Sequence, residues 1–156
     1  MSMIQVHEAR DQILSKIKFK GVEKVSLDQA LGRVLVEDVI SQINNPPLDN
    51  SAMDGYALVA SDIKSATPEN PVQLEVVEEI AAGYTAKGTL KPGQAMRIMT
   101  GAPIPSGANA VLMQEDTEKK GTSILCMDKA DNQENIREAG EDVKVGETVL
   151  KKGATL

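Results

Sequence analysis

Apolar residues near the N-terminus of this chain recur at the spacing of an α-helix. Between residues 4 and 17 they fall mostly three or four positions apart, which places them on one helical face. The pattern predicts a helix over residues 4–17 with one buried stripe, and Gly21 is suited to end it. The apolar positions are Val6, Ala9, Ile13, Leu14 and Ile17.

Two shorter signals follow this helix. Ser26 and Gln29 have the spacing of a capping box, and Gly32 would close the short helix that they begin. Residues 34–40 are rich in β-branched side chains, which predicts a strand that runs toward the next loop.

From residue 56 onward, short apolar runs alternate with turns that contain Gly or Pro. Such a pattern favours a small antiparallel β barrel or sandwich. The fold class that we expect is therefore α+β and mostly β. The predicted strands cover residues 56–59, 72–80, 95–99, 110–114 and 123–127.

The contrast between the helical start and the strand-rich middle predicts two domains. We expect a β lobe over residues 45–133, inserted into a discontinuous, elongated α/β lobe that residues 1–44 and 134–156 form together. A chain of 156 residues suffices for two small domains. Its last residues, 151–156, contain no closing element, so we expect the fold to be unfinished at this end.

Composition excludes several classes of function. The chain has 17 Lys and Arg against 23 Asp and Glu, a net charge of −6, and its basic residues are dispersed, which argues against a nucleic-acid partner. No signal pattern opens the chain, and no apolar run approaches the ~20 residues that span a bilayer. We therefore expect a cytoplasmic protein with no membrane partner.

The single cysteine and the single histidine exclude a disulfide framework and a Cys/His metal cluster. Cys126 lies within the apolar run 123–127, so we interpret it as part of the core. His7 falls on a polar position of the predicted helix, and we interpret it as a surface residue.

The loop over residues 46–57 holds the densest group of polar side chains. Two prolines fix its entry, Asp49 and Ser51 can bond to local amides, and the turn pair Asp54 and Gly55 leads into a strand. Two interpretations stay open on these grounds: a polar turn capped by one aspartate, or a stiff loop that presents carboxylates to a ligand.

A second concentration of special residues covers 97–107. Gly101 permits a close approach to the backbone, and the Thr100 hydroxyl with nearby amides could hold an oxyanion. The alternative is a Gly/Pro hairpin loop that Thr100 merely caps.

Together the two loops offer carboxylates suited to Mg²⁺ and donors suited to a tetrahedral anion. Neither carries a Walker lysine, a GxGxxG or a Ser/His/Asp set, so ordinary nucleotide hydrolysis and serine chemistry are unsupported.

Three motifs carry a family resemblance. They are PLDNSAMDGYA at 47–57, RIMTGAPIP at 97–105, and NIR at 135–137 with GED at 140–142. In this order they closely resemble the N-terminal part of the MoeA family of molybdopterin molybdenumtransferases, which is related to the E domain of gephyrin. The resemblance covers essentially the whole chain.

The resemblance implies the last step of molybdenum cofactor synthesis, in which molybdenum passes from molybdate to adenylated molybdopterin with Mg²⁺ and release of AMP. It also implies a cytoplasmic homodimer that works beside other molybdenum cofactor synthesis proteins. The active cleft of the family lies between the β lobe of one subunit and the pterin-binding domain of the other.

The resemblance also assigns residues by position. Asp54 and Thr100 match the catalytic residues of the β lobe, with Asp54 as a carboxylate near the metal or substrate and Thr100 as a donor to an anionic substrate. Substrate-binding support is assigned to four further residues: Asp49, Ser51, Gly101 and Arg137.

Three departures from the family pattern qualify these assignments. Leu48 stands where an aromatic residue is usual, and Glu138-Ala139 replaces more basic residues. The pterin-binding domain and the C-terminal β domain of the family would follow Leu156, so we expect an N-terminal part that is inactive alone. Two alternatives remain: a non-catalytic dimerisation or scaffold module of the gephyrin type, and a stand-alone anion-binding β domain.

Overall fold

A computed structural model describes residues 4–18 and 21–156 of the chain. In the described part, one helix, α1 (Val6–Lys16), precedes ten short strands. Single 3-10 turns occupy Leu27–Gln29, Ala60–Ile63 and Gln114–Asp116. The strands are β1 (Val39–Ile40), β2 (Asn50–Ser51), β3 (Gly55–Leu58), β4 (Val72–Ile80), β5 (Gln94–Ile98), β6 (Ala110–Met113), β7 (Thr117–Lys120), β8 (Ser123–Cys126), β9 (Ile136–Arg137) and β10 (Thr148–Leu150).

The chain divides into two compact units. Residues 40–149 form the larger unit, and the described residues among 1–39 form the smaller one with residues 150–156. The division into lobes over 45–133 and over 1–44 with 134–156 stays a prediction. No helix within 4–18 or 21–156 is long and apolar enough to cross a membrane.

The larger unit is built on a six-stranded sheet with the order β6-β3-β5-β4-β8-β7. Strand β3 pairs antiparallel with both β5 and β6. The expected mostly β fold class is confirmed, but one pair differs from the antiparallel pattern, because β4 and β5 run parallel. A parallel pair requires a crossover instead of a tight hairpin, and residues 81–93 supply it.

Apolar side chains cover both faces of this sheet. On β3, Tyr56 and Leu58 join one cluster while Ala57 joins the other, as the alternation of a strand requires. Strands β6 and β8, far apart in the sheet order, both contribute to the first cluster, so the sheet curls around it. Cys126 is fully buried there, and burial raises the pKa of its thiol to about 12. Its interpretation as a core residue is confirmed.

The predicted stripe of the N-terminal helix is not buried. Helix α1 begins at Val6 and ends at Lys16, and none of its residues is buried; Val6 is 87 % exposed. Helical spacing identifies which residues share a face, but burial needs an element packed on that face. In the described part of the smaller unit, Ala30 is the only buried residue. His7 is exposed on α1, as expected.

Two other predictions for this region are wrong. The Ser26 side chain makes no capping hydrogen bond, and only a 3-10 turn follows it. The strand expected over 34–40 is limited to β1, which pairs with β10, and to an isolated bridge between Val34 and Thr155. A long strand needs a long partner, and β10 has only three residues.

Candidate functional site

The loop over residues 45–54 and the loop over 99–104 are joined through their backbones. Ser51 N–H donates to the Ala102 carbonyl at 3.0 Å, and Gly101 N–H donates to the Ser51 carbonyl at 2.8 Å. Further along, Ile104 N–H donates to the Asp49 carbonyl at 3.0 Å. These bonds continue the β3–β5 pairing into the two loops and fix one loop against the other.

The segment after residue 134 closes on the same loop from another side. Strands β2 and β9 pair antiparallel, with Ser51 opposite Ile136, and Ala52 N–H donates to the Asn135 carbonyl at 2.9 Å. Asn135 has φ +56°, which turns the chain toward this pairing, and its Nδ2 donates to the Val111 carbonyl at 2.9 Å. All three motifs that the sequence singled out therefore meet at one place within residues 40–149.

Asp54 and Thr100 form the centre of this place. One carboxylate oxygen of Asp54, Oδ1, accepts the backbone N–H of Thr100 at 2.7 Å and the Thr100 hydroxyl at 2.8 Å. These two hydrogen bonds, with a smaller contribution from the charge of Arg97, hold the pKa of Asp54 below its ordinary value. The carboxylate stays ionised, and its other oxygen, Oδ2, bonds to no described residue.

The backbone around Asp54 is held as firmly as its side chain. Gln114 N–H donates to the Asp54 carbonyl at 3.1 Å, and Arg97 Nη1 donates to the Gly55 carbonyl at 2.9 Å. Arg97 also bonds to the Gln114 side chain and lies over the Tyr56 ring, 5.1 Å from its centroid. Rigid backbone on both sides of Asp54 therefore fixes the direction in which its carboxylate points.

Gly55 is required by packing at this position. A Cβ added to Gly55 would lie 2.1 Å from the Leu112 carbonyl oxygen, because β3 and β6 approach each other closely there. The turn pair in the sequence signals this constraint only indirectly. Neither the contact with Leu112 nor the role of Arg97 has a signal in the sequence.

One protein-family model, described as "MoeA N-terminal region (domain I and II)", matches residues 4–156. The chain belongs to the MoeA family. Its fold is close to the crystal structure of the MoeA protein from Pyrococcus horikoshii OT3, with a TM-score of 0.93 and 42 % identity over 99 % of this chain and 41 % of that one.

Several proteins named molybdopterin molybdenumtransferase are similar to this chain in sequence. A relative from Mycobacterium tuberculosis, molybdopterin molybdenumtransferase 2, is 49 % identical over 129 residues, 83 % of this chain and 32 % of its own length. The Haemophilus influenzae relative is 40 % identical over 156 residues, 99 % of this chain and 37 % of its own length. The chain thus spans about a third of the length of the curated relatives that it matches.

In this MoeA family member, Thr100 and Gly101 already use their donors within the protein. Both donors of Thr100 point to Asp54, and Gly101, with φ +79°, gives its N–H to Ser51. The next amide, of Ala102, donates to the Met99 carbonyl at 3.0 Å. Of these three amides, only that of Thr100 donates to an anion, and that anion is the protein's own Asp54 carboxylate. A donor role of Thr100 toward a substrate stays a prediction.

The other residues assigned by resemblance support the loops in this structure. Ser51 is 1 % exposed, and its hydroxyl donates to the Met53 carbonyl at 2.6 Å. The Asp49 carboxylate accepts the Ala139 N–H at 2.8 Å. Arg137 pairs with Asp142 at 2.7 Å, and this hydrogen bond and charge, with the charge of Glu141, raise the pKa of the guanidinium.

To bind a metal ion, these side chains would need further ligands from elsewhere. Within the described ranges, no group of three or more His, Cys, Asp or Glu side chains is placed to hold a metal ion. An open hollow of about 300 Å³ lies beside the centre, between Tyr56, Arg97 and Lys119, but Glu78 and Glu79 also line it. The two carboxylates offset the charges of Arg97 and Lys119, so the lining has no net positive charge to attract a dianion such as molybdate.

Proposed function

We propose that this chain forms the N-terminal part of a molybdenum insertase, which transfers molybdenum from molybdate to adenylated molybdopterin. The observation that carries the proposal is the Asp54–Thr100 pair, which stands at the meeting point of the three motifs. The names of the relatives support the choice of reaction, since molybdopterin and molybdenum are its substrates in those proteins.

The proposed role of Asp54 is to present an oxygen that is ionised at neutral pH to the reacting groups. Oδ1 is occupied by Thr100, so Oδ2 is the atom that faces a ligand. One carboxylate fits Mg²⁺ in part, because that ion keeps several waters and completes its shell with substrate phosphates. When bound, Mg²⁺ would neutralise charge on the phosphates of the adenylated substrate, and Asp54 is the residue that we assign to hold it.

The proposed roles of the remaining residues follow from their bonds. Thr100 orients the carboxylate and keeps it ionised, and Gly101, Ser51 and Asp49 hold the loops that carry the pair. Arg137, engaged with Asp142 and Glu141, is assigned to the same support. Most of the pterin pocket and of the metal ligands is assigned to segments outside this chain, since the chain spans about a third of the length of its relatives.

A chimera tests this proposal directly. Residues 4–156 would replace the corresponding region of the Haemophilus influenzae relative, which aligns over 156 residues. The chimera should insert molybdenum when given molybdate, Mg²⁺ and adenylated molybdopterin, and the isolated chain should not. Asp54→Ala in the chimera should lower the rate by at least about tenfold, because a charged group is removed from a preorganised site.

Matched controls separate function from folding in this experiment. Asp62→Ala removes another carboxylate of the same unit, one that accepts the Gly93 N–H at 2.7 Å, and it should leave the insertion rate unchanged. A folded Asp54→Ala chimera that inserts molybdenum at the unsubstituted rate would refute the proposal.

The second candidate is a non-catalytic dimerisation or scaffold module. Large apolar side chains exposed on the smaller unit favour it, among them Val6, Leu27 and Leu31.

We propose a homodimer for the whole protein, in the cytoplasm and beside other molybdenum cofactor synthesis proteins. Sedimentation velocity of the chain and of a Leu27→Ser, Leu31→Ser variant tests dimer formation, and an active chimera would exclude a purely structural module.

A further inference from the structure

Asp54 and Gly55 form the single Asp-Gly pair of the sequence. In such pairs the amide nitrogen of glycine can attack the aspartate side chain, since glycine has no side chain to hinder the approach. We propose that Asp54–Gly55 is a site of succinimide and isoaspartate formation, and that the hydrogen bonds from Thr100 restrain this conversion in the folded protein.

The chemistry needs only water and protons. Gly55 N attacks Cγ of Asp54, an N–Cγ bond forms, and one Cγ–O bond breaks. The departing oxygen leaves as water with the proton of the Gly55 N–H and one proton from solvent. Water then opens the five-membered ring at either carbonyl: opening at Cγ restores aspartate, and opening at the main-chain carbonyl gives isoaspartate.

The folded structure opposes ring closure at several atoms. Closure would turn the carboxyl carbon onto Gly55 N, which breaks both bonds from Thr100 to Oδ1. The two flanking carbonyls are also held, the Asp54 carbonyl by Gln114 and the Gly55 carbonyl by Arg97. Since Gly55 is buried in a strand that pairs on both sides, the peptide has little freedom to form the ring.

The same contacts also explain why this reactive pair is present. A side chain at Gly55 would collide with the Leu112 carbonyl, so glycine is required there. A side-chain oxygen is required at residue 54 to accept both donors of Thr100, and Asp54 supplies it. The reactive dipeptide is therefore a consequence of the packing, and Thr100 supplies the restraint that acts directly on the Asp54 carboxylate.

Conversion would alter the fold as well as the carboxylate. Isoaspartate adds one carbon to the main chain at residue 54 and leaves a shorter carboxylate arm. The pairing of Gly55 with Ile98 and Met113 would shift, and the two bonds with Thr100 would be lost. The inference does not depend on the proposed function, because the product is a change in the protein itself.

The experiment compares three forms of the 156-residue chain: unsubstituted, Thr100→Ser and Thr100→Val. Each is incubated at neutral pH and physiological temperature, and isoaspartate at residue 54 is followed by peptide mapping with electron-transfer fragmentation. Serine keeps both donors, whereas valine removes the hydroxyl and keeps the backbone N–H. We expect Thr100→Val to convert several-fold faster than the other two.

Unfolding is controlled by circular dichroism and by a parallel incubation of the unsubstituted chain in urea. The urea-unfolded chain sets the unrestrained rate, and the folded chain should convert at least several-fold more slowly. Equal rates in folded and unfolded chain, or equal rates in folded Thr100→Val and Thr100→Ser, would overturn the inference. So would an unfolded chain that forms no isoaspartate at residue 54.

Discussion

The carbonyl oxygen of Leu112 occupies the space that a side chain on Gly55 would need. A Cβ at Gly55 would lie 2.1 Å from this oxygen and 3.0 Å from a methyl carbon of Val111. Strand β3 can therefore approach β6 only while residue 55 is glycine. Because Asp54 precedes this contact, the position of the proposed site depends on how closely the two strands pack.

Gly55→Ala should destabilise the chain strongly. The clash is with backbone atoms, which cannot move aside without breaking the β3–β6 ladder, so we expect a loss of about 3 kcal/mol in the free energy of unfolding. Urea unfolding measures the change. Gly88→Ala is the control, since a Cβ there meets nothing within 4 Å; it should shift the free energy by less than about 1 kcal/mol. Equal losses in both variants would contradict the packing argument.

Removal of the Asp54 carboxylate should change how stability depends on pH. The pKa of Asp54 is lowered in the folded state, so its contribution is present above the pKa of the unfolded state and is lost as pH falls through the folded pKa. Asp54→Ala should therefore be less stable than the unsubstituted chain at neutral pH, with a difference that narrows in acid. Urea midpoints across a pH series measure it, and a constant difference would refute the assignment.

Ser51→Ala should affect stability more than substrate binding. The hydroxyl is buried and bonded to the Met53 carbonyl, so its removal leaves that carbonyl without this donor and should cost about 1 kcal/mol. In the chimera, KM for adenylated molybdopterin should stay within the error of the unsubstituted value. A raised KM with unchanged unfolding free energy would instead place Ser51 in contact with substrate.

Arg97→Lys should weaken the frame around Asp54 although it keeps the positive charge. A lysine lacks the planar fork with which Arg97 bonds to the Gly55 carbonyl and the Gln114 side chain, and it covers the Tyr56 ring less well. We expect a loss of about 1–3 kcal/mol in the free energy of unfolding. Lys119→Arg, on the same hollow, is the control and should have little effect. An Arg97→Lys variant with an unchanged free energy of unfolding would show that only the positive charge matters at this position.

The Cys126 thiol should not react while the chain is folded. It is fully buried, and its pKa of about 12 keeps it protonated at neutral pH, so the thiolate that attacks disulfide reagents is scarce. Labelling with an aromatic disulfide should be slow in buffer and fast in urea. Fast labelling of the folded chain would mean that β8 opens readily.

The sequence predicted the larger unit better than the smaller one. The predicted ends of β4 agree with the structure, and those of β5, β6 and β8 agree to within one residue, because turns with Gly or Pro bound them. The parallel pairing of β4 and β5 was missed, since turn residues show where a strand ends but not which strand it joins. The stripe on α1 was misjudged because spacing carries no information about a partner.

For the candidate site, the motifs identified the right segments but not their contacts. Asp54 and Thr100 were both singled out, whereas the bonds between them depend on strands that place residues 46 positions apart side by side. The role of Arg97 follows from its position opposite Tyr56 across β3 and β5. Such a register is a property of the folded sheet, so no local pattern could have shown it.

The meeting of three distant motifs also has a consequence for how the protein acquires its site. Ser51 is joined to Gly101, and Ala52 to Asn135, so the chain must close loops of about 50 and about 80 residues before the carboxylate is fixed. Long-range closures of this kind come late and slow folding. A nascent chain that ends before residue 135 would contain both Asp54 and Thr100 yet lack the segment that closes behind them.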